Sequence, residues 1–146
     1  MSIEPGKLDF PLYRWAGPWQ NSLTINFVGY DFSGATFRAQ FREYRDQVGT
    51  PLMDLQNAAS SAEGISVSVG KQTIIPDEGD PYQATVSVVK LRINETTVEG
   101  VLSPSSVGPA NDGVRRLVWD LHIDGGGFGK VRWVQGDAPI YAGVTQ

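Results

Sequence analysis

The chain has 146 residues, a formal net charge of −4, one histidine and no cysteine. That length suits one domain burying roughly two thirds of its unfolded surface, and the lack of cysteine excludes disulfides and thiolate metal sites. The basic residues are scattered instead of forming a run, which argues against a nucleic-acid arm or a polybasic membrane patch, and no apolar run approaches the roughly 18 residues of a membrane span.

Charged residues make up 19% of the chain, while 17 Gly and 9 Pro punctuate short runs of Val, Ile, Phe and Trp. This is the composition of an all-β domain rich in turns. Residues 1–12 hold Pro5, Gly6 and Pro11 around Leu8 and Phe10, and read as an N-terminal arm because proline at this density suits neither a helix nor a central strand. The arm has no apolar signal-peptide core, so synthesis in the cytoplasm is expected. A short edge strand is predicted to end near Trp15 and a second to begin after Pro18. Leu23, Ile25 and Phe27 then alternate with Thr24 and Asn26, a half-buried strand.

Gly29 to Gly34 turns the chain. In the next strand Ala35, Phe37, Ala39 and Phe41 share one face and Arg38, Gln40 and Arg42 the other. Residues 47–62 read as a connection containing a short strand. Ile65, Val67 and Val69 begin a strand that can pair with a later one as a long hairpin, around the acidic turn Asp77-Glu78-Gly79-Asp80-Pro81. In that later strand Val86 and Val88 share one face, whereas Val89, Leu91 and Ile93 share the other. A single-residue bulge near Val88 or Val89 is the expected reconciliation.

Asn94 is a good N-cap for one helical turn carrying Val98, Val101 and Leu102 to the end of the core. A loop follows, and then the strongest local signal. Leu117, Trp119, Leu121 and Ile123 alternate, Asp124 to Gly127 turns, and Val131 and Trp133 resume the alternation. Ala138 to Gln146 reads as an exit tail, leaving residues 13–137 as the domain. The expected fold is an antiparallel β-sandwich of about seven or eight strands with one short helical turn.

Two blocks carry a family resemblance. Asp31-Phe32-Ser33-Gly34-Ala35-Thr36 precedes the Phe-Arg-Ala-Gln-Phe-Arg strand. Trp119 to Asp124 precedes a glycine turn, a strand closing on Gly136, and Val144-Thr145. In order and spacing these resemble the Ig-like β-sandwich domains of phage baseplate and tail-fibre proteins, with Trp15-Ala16-Gly17 as their opening aromatic-x-Gly. The Gly70 to Gln83 excursion is longer than in that pattern, and Trp119 stands where Tyr is usual.

The resemblance implies a non-enzymatic virion structural protein that joins neighbouring tail components. Its expected partners are other tail or baseplate proteins and copies of itself, as a trimer or hexamer in the assembly, with no nucleic acid, membrane, metal or cofactor. The expected location is the virion tail. The residues expected to touch partners are Leu8, Phe10, Tyr13, Trp15, Trp19, Arg38, Arg42, Ile140 and Tyr141. The alternative is a carbohydrate-binding module using exposed aromatics to stack on sugar rings.

Other chemistry is thinner. Gly125 to Lys130 contains a Gly-Lys pair, but a phosphate loop needs Ser or Thr next and a helix after it, whereas Val131 and a strand follow. His122 and Asp120 share a strand face, as in a Ser-His-Asp arrangement, yet no Gly-x-Ser-x-Gly turn accompanies them. Asp77, Glu78 and Asp80 lack the spacing of a calcium loop. Asn94-Glu95-Thr96 matches the glycosylation sequon and is read as a helix cap. Tyr13, Trp15, Trp19, Tyr30 and Phe32 cluster early, either as core or as exposed contacts. Arg38 and Arg42, with Arg115, Arg116 and Arg132 near them, read as a solvated face or as an interface for acidic partners.

Overall fold

A computed structural model describes residues 6–13, 21–45, 48–101 and 114–141. It holds strands β1 (Gly6–Lys7), β2 (Leu12–Tyr13), β3 (Asn21–Val28), β4 (Thr36–Arg42), β5 (Met53–Gln56), β6 (Gly64–Ile74) and β7 (Tyr82–Ile93). Helix α1 (Glu95–Val101), β8 (Val114–Asp124) and β9 (Lys130–Tyr141) follow. Among the described residues this gives two sheets, a six-stranded one ordered β1-β9-β8-β4-β5 with β2 also on β9, and a three-stranded one ordered β3-β7-β6. All pairings are antiparallel except those of β1 and β2 with β9. The strands predicted around Trp15 and Trp19, and Leu102 after the helix, lie outside the described residues.

Period-two alternation sets which face of each sheet is dry. Phe37, Ala39 and Phe41 of β4 join Leu117, Trp119, Leu121 and Ile123 of β8 on the inner face of the large sheet, all at most 2% exposed. Val89, Leu91 and Ile93 of β7 and Ile65 of β6 meet them from the small sheet in one continuous core. Helix α1 closes an end of that core with Val98 and Val101. The Asn94 carbonyl accepts the Thr97 and Val98 N–H groups, and Glu63 accepts the Asn94 N–H at 2.7 Å.

Two expectations are corrected. The β6–β7 register runs unbroken from Gly64 opposite Arg92 to Ile74 opposite Tyr82, so no bulge lies at Val88 or Val89. Val86 and Val88 take the outer face, where the central strand of three is flanked on both sides by neighbours that cover it. The irregularity lies instead between Leu121 and His122 in the β8–β9 pairing, with Trp133 the extra residue. That bulge lets Trp133 and Val134, adjacent in sequence, both be buried. Finally, β9 runs through the expected exit tail as far as Tyr141, with Ala138 and Ile140 fully buried. Pro139 lies opposite Arg116 of β8, and on the other side of β9 the two-residue β2 begins its register only at Ile140, so that side leaves room for a residue without an N–H.

The segment read as an arm is, over residues 6–13, the edge of the large sheet. Leu8 N–H donates to the Gln135 carbonyl (2.9 Å) and Phe10 N–H to that of Asp137 (2.8 Å). In return Asp137 N–H donates to Asp9 Oδ1 at 3.1 Å. The segment passes directly over Gly136, where an added Cβ would lie 2.0 Å from the Leu8 oxygen. Trp119, opposite Gly136 on β8, donates its indole N–H to that same oxygen at 2.9 Å. Phe10 then packs edge-on against Trp119 and Phe41, at 5.6 and 5.9 Å between ring centroids.

Three polar side chains tie the chain across the gap between the sheets. Asn21 at the start of β3 accepts the Tyr13 N–H and donates to the Tyr13 carbonyl, both at 3.0 Å. Asn57 accepts the Phe37 N–H (2.7 Å) and donates to the Ala35 carbonyl (3.0 Å), while its backbone bridges to Ile65 of the small sheet. Ser87 accepts the Phe32 N–H (2.9 Å) and donates to the Tyr30 carbonyl (2.8 Å). Each therefore satisfies a donor and an acceptor that would otherwise be stranded near the core.

Two tests follow from this geometry. Gly136→Ala forces a methyl against the Leu8 carbonyl and is expected to cost about 1–3 kcal/mol, the usual range for overpacking. Urea denaturation should show it, together with faster proteolysis within residues 6–13. Asn57→Ala strands one amide and one carbonyl and should cost about 1–3 kcal/mol. A midpoint unchanged from the wild type would show that water replaces the Asn57 amide at no loss.

Candidate functional site

The outer face of the large sheet is built by the same alternation that builds the core. Register lines its side chains into rows across the strands. Asp54, Gln40, Asp120 and Gln135 form one row, and Gln56, Arg38, His122 and Arg132 the next. Opposed residues in such rows are close enough for side chains to interact.

Arg38 spans from one row to the other and grips Asp54 with both arms, Nε to Oδ1 at 3.1 Å and Nη2 to Oδ2 at 2.7 Å. This holds the Arg38 guanidinium above its ordinary pKa, first through the hydrogen bond and then through the charge of Asp54. At 47% side-chain exposure the pair contributes little to stability. Arg42 donates to the Gly49 carbonyl (2.6 Å) and to Gln40 Oε1 (3.1 Å). Arg45 donates to Gln135 Oε1 at 3.2 Å. These acceptors are neutral oxygens, so the two hydrogen-bond sets leave both cationic charges in place.

Arg132 Nε lies 3.3 Å from Asp120 Oδ2, and His122 Nδ1 lies 3.6 Å from Asp120 Oδ1. Neither contact has hydrogen-bond geometry, and both Arg132 Nε and Asp120 Oδ1 are buried without a hydrogen-bond partner. They are Coulombic neighbours inside a cleft of about 260 Å³ lined by Gln40, Arg42, Tyr44, Arg45, Val118, Trp119, Asp120, His122 and Arg132. Three guanidiniums face one carboxylate there, in a chain that is negative as a whole. The arrangement suits the holding of an anionic group. Among the described residues no Ser, Thr or Cys lines the cleft, so none of them offers the Asp120–His122 pair a hydroxyl or thiol of the kind a triad requires.

The expected contact residues divide. Arg38 and Arg42 lie on this face. Tyr13 and Tyr141 pair across β2 and β9 and stack at 5.3 Å, 50% and 40% exposed, with Leu8 at the surface of the same edge. Phe10 and Ile140 are corrected, because both are at most 1% exposed within the chain's own core. Trp15 and Trp19 lie outside the described residues. Of the other early aromatics, Tyr30 and Phe32 pack around Trp133, at 5.1 and 5.3 Å.

Arg132 joins the Arg face and Arg116 shares its side of β8, whereas Arg115 does not. It turns to the helix end, donating to the Val101 carbonyl and pairing with Glu43, both at 2.6 Å. A cation is favourable there because the last helical carbonyls lack intrahelical partners. His122, Asp120, Arg45, Gln135 and Tyr44 were not among the expected contact residues. Strand parity gives the face of the first two, but their meeting with Arg45 depends on register and on the chain's path after β4.

The remaining motifs are structural in their surroundings. Gly125 packs on Ala35, and Gly126, at a φ of 64°, lies under the Phe32 ring, so the glycine run joins the two resemblance blocks at one end of the fold. Asp31 holds its turn by accepting the Ser33 hydroxyl and N–H at 2.6 and 3.0 Å, which keeps its carboxyl below the usual pKa. Among the described residues no three His, Asp or Glu side chains converge to hold a metal ion, and the acidic turn Asp77 to Asp80 is included in that statement.

Burial pushes the His122 pKa down, with Asp120 opposing it and Arg132, Lys130 and Arg38 adding to it. The unfolded chain therefore binds the imidazole proton more readily than the folded one. Its contribution to stability is present above the ordinary imidazole pKa of about 6.5 and is lost as pH falls from there through the lower folded value. Denaturation midpoints across this range should fall for the wild type and fall less for His122→Gln. Parallel curves would assign the pH dependence to other groups.

No protein-family model and no curated protein matches this chain.

Proposed function

We propose that the chain is a structural adaptor of a phage-like tail, a baseplate or tail-fibre part that joins neighbouring components through its sheet surfaces and terminal segments. On this reading its two packed sheets are an Ig-like sandwich. The observation that carries it is the meeting of the two resemblance blocks. Asp31 to Thr36 and the Trp119 to Gly136 hairpin lie far apart in sequence yet close one end of the core together, through Ala35 on Gly125 and Phe32 on Gly126. Two further features fit an interaction module. The first and last described strands form one edge, where Tyr13 and Tyr141 stay half exposed. The outer face of the large sheet carries the guanidiniums of Arg42 and Arg45, bonded to neutral oxygens, over a shallow cleft instead of a deep pocket.

Peptide mass spectrometry with copy number, on purified particles of the phage or organism encoding the chain, tests this. The expected result is a fixed small multiple of three or six per particle. Absence from particles would overturn it and favour the carbohydrate-binding reading, for which Tyr44, 60% exposed beside the cleft, is the aromatic in place.

A further inference from the structure

Strands β6 and β7 outrun the rest of the small sheet. β3 covers β7 only from Val86 to Ile93, whereas β6 pairs with β7 as far as Ile74 and Tyr82. Residues 71–74 and 82–85 therefore form a two-stranded ribbon that carries the turn at residues 75–81 past the packed sheets. The Gly29 N–H, donating to the Thr85 carbonyl at 2.7 Å, ties its base to β3's end. Two strands alone gain little in water, and this ribbon nevertheless holds Ile75 at 76% and Tyr82 at 51% exposure. Its turn presents Asp77, Glu78 and Asp80, all exposed, and Lys71 is its lone cation.

The complement of that tip is on the same molecule. The cleft on the outer face of the large sheet offers Arg42, Arg45 and Arg132 against one carboxylate, with Arg132 Nε–H buried and without a hydrogen-bond acceptor. At about 260 Å³ it is below the ~300–1,000 Å³ of small-molecule pockets, and suits side chains presented by a turn. Tyr44, 60% exposed at its rim, offers apolar surface to Ile75 or Tyr82. The ribbon belongs to one sheet and the cleft to the far face of the other, with the core between them, so one chain cannot close the contact on itself.

We propose that the acidic ribbon tip of one copy docks in the guanidinium cleft of a second copy. The two surfaces differ, so the contact is head to tail, and it propagates into a ring if the rotation closes or a filament if it does not. Charge complementarity of this kind selects the partner and weakens with salt. The contact goes beyond the tail reading and stands apart from it, since it concerns only what two copies do in solution.

Sedimentation velocity of the full chain over a concentration series tests it. The expected result is association at low salt that weakens about tenfold or more in half-molar salt, as screening shortens the reach of charge. Asp77→Lys/Glu78→Lys/Asp80→Lys and, separately, Arg42→Glu/Arg45→Glu should each remain monomeric, with far-ultraviolet circular dichroism confirming that each is folded. An equimolar mixture of the two variants should associate again, because the reversed tip of one fits the reversed cleft of the other. A wild type that stays monomeric at every concentration would overturn the proposal. So would association that the tip variant leaves unchanged, which would give the cleft to another occupant, or a mixture that stays monomeric. Because mass spectrometry of particles reads location and sedimentation reads self-contact, either proposal can fail while the other stands.

Discussion

The hydrogen bond from the Trp119 indole to the Leu8 carbonyl, made over the bare backbone of Gly136, is the contact on which the large sheet depends. It joins the backbone hydrogen bonds to β9, the Asp9 contact with Asp137 and the Asn21–Tyr13 pair in holding residues 6–13 over β9. With it, Phe10 is drawn under Trp119 and Phe41, and Leu12 is fully buried beside Ile140. An indole satisfies both demands of this position, a large apolar area and one N–H that must find an acceptor when buried. That gives a physical reason for Trp at a position where the resemblance leads one to expect Tyr.

Asn21, Asn57 and Ser87 extend the same logic between the sheets. A two-sheet fold leaves backbone groups at its open sides, and each must find water or a partner. Here Asn21 closes one side by pairing with Tyr13, Asn57 closes the other by pairing with Ala35 and Phe37, and Ser87 fixes the loop between β3 and β4. Those side chains satisfy the backbone at the sheet sides, while Trp133 Nε1 is buried in the core without a hydrogen-bond partner. Among the described residues, the outer face of the large sheet, the Tyr13–Tyr141 edge and the projecting ribbon present side chains to other molecules. Those surfaces support a role in assembly, and the anionic tip and cationic cleft give that role a chemical direction.

Alternation made much of this legible in the sequence. The inward sets on β4 and β8, the turn at Asp124 to Gly127 and the cap at Asn94 each follow from local pattern and turn chemistry. Phe10 and Ile140 misled because prolines beside them suggested extended arms; their burial comes from pairing more than a hundred residues distant, which no local window contains. A bulge is expected near Val88 or Val89 because two valines sit on the wrong parity, whereas the real one at Trp133 produces two buried neighbours in a row and is hidden by an unbroken run of strand-forming residues. The cleft was half legible. Strand parity puts Arg38, Arg42, Asp120 and His122 outward, but only the register across β5, β4, β8 and β9 joins them to Arg132 and Gln135.

Residues 6–13 belong to the folded core, and the Trp119 indole helps hold them there. Amide hydrogen exchange read by nuclear magnetic resonance measures this directly, since it reports opening of each N–H separately. The Leu8 and Phe10 amides and the Trp119 indole N–H are expected to exchange as slowly as the central amides of β8 and β9. Exchange of these three near the rate of unstructured peptide, beside a protected β8–β9 hairpin, would contradict it and make the segment an arm after all.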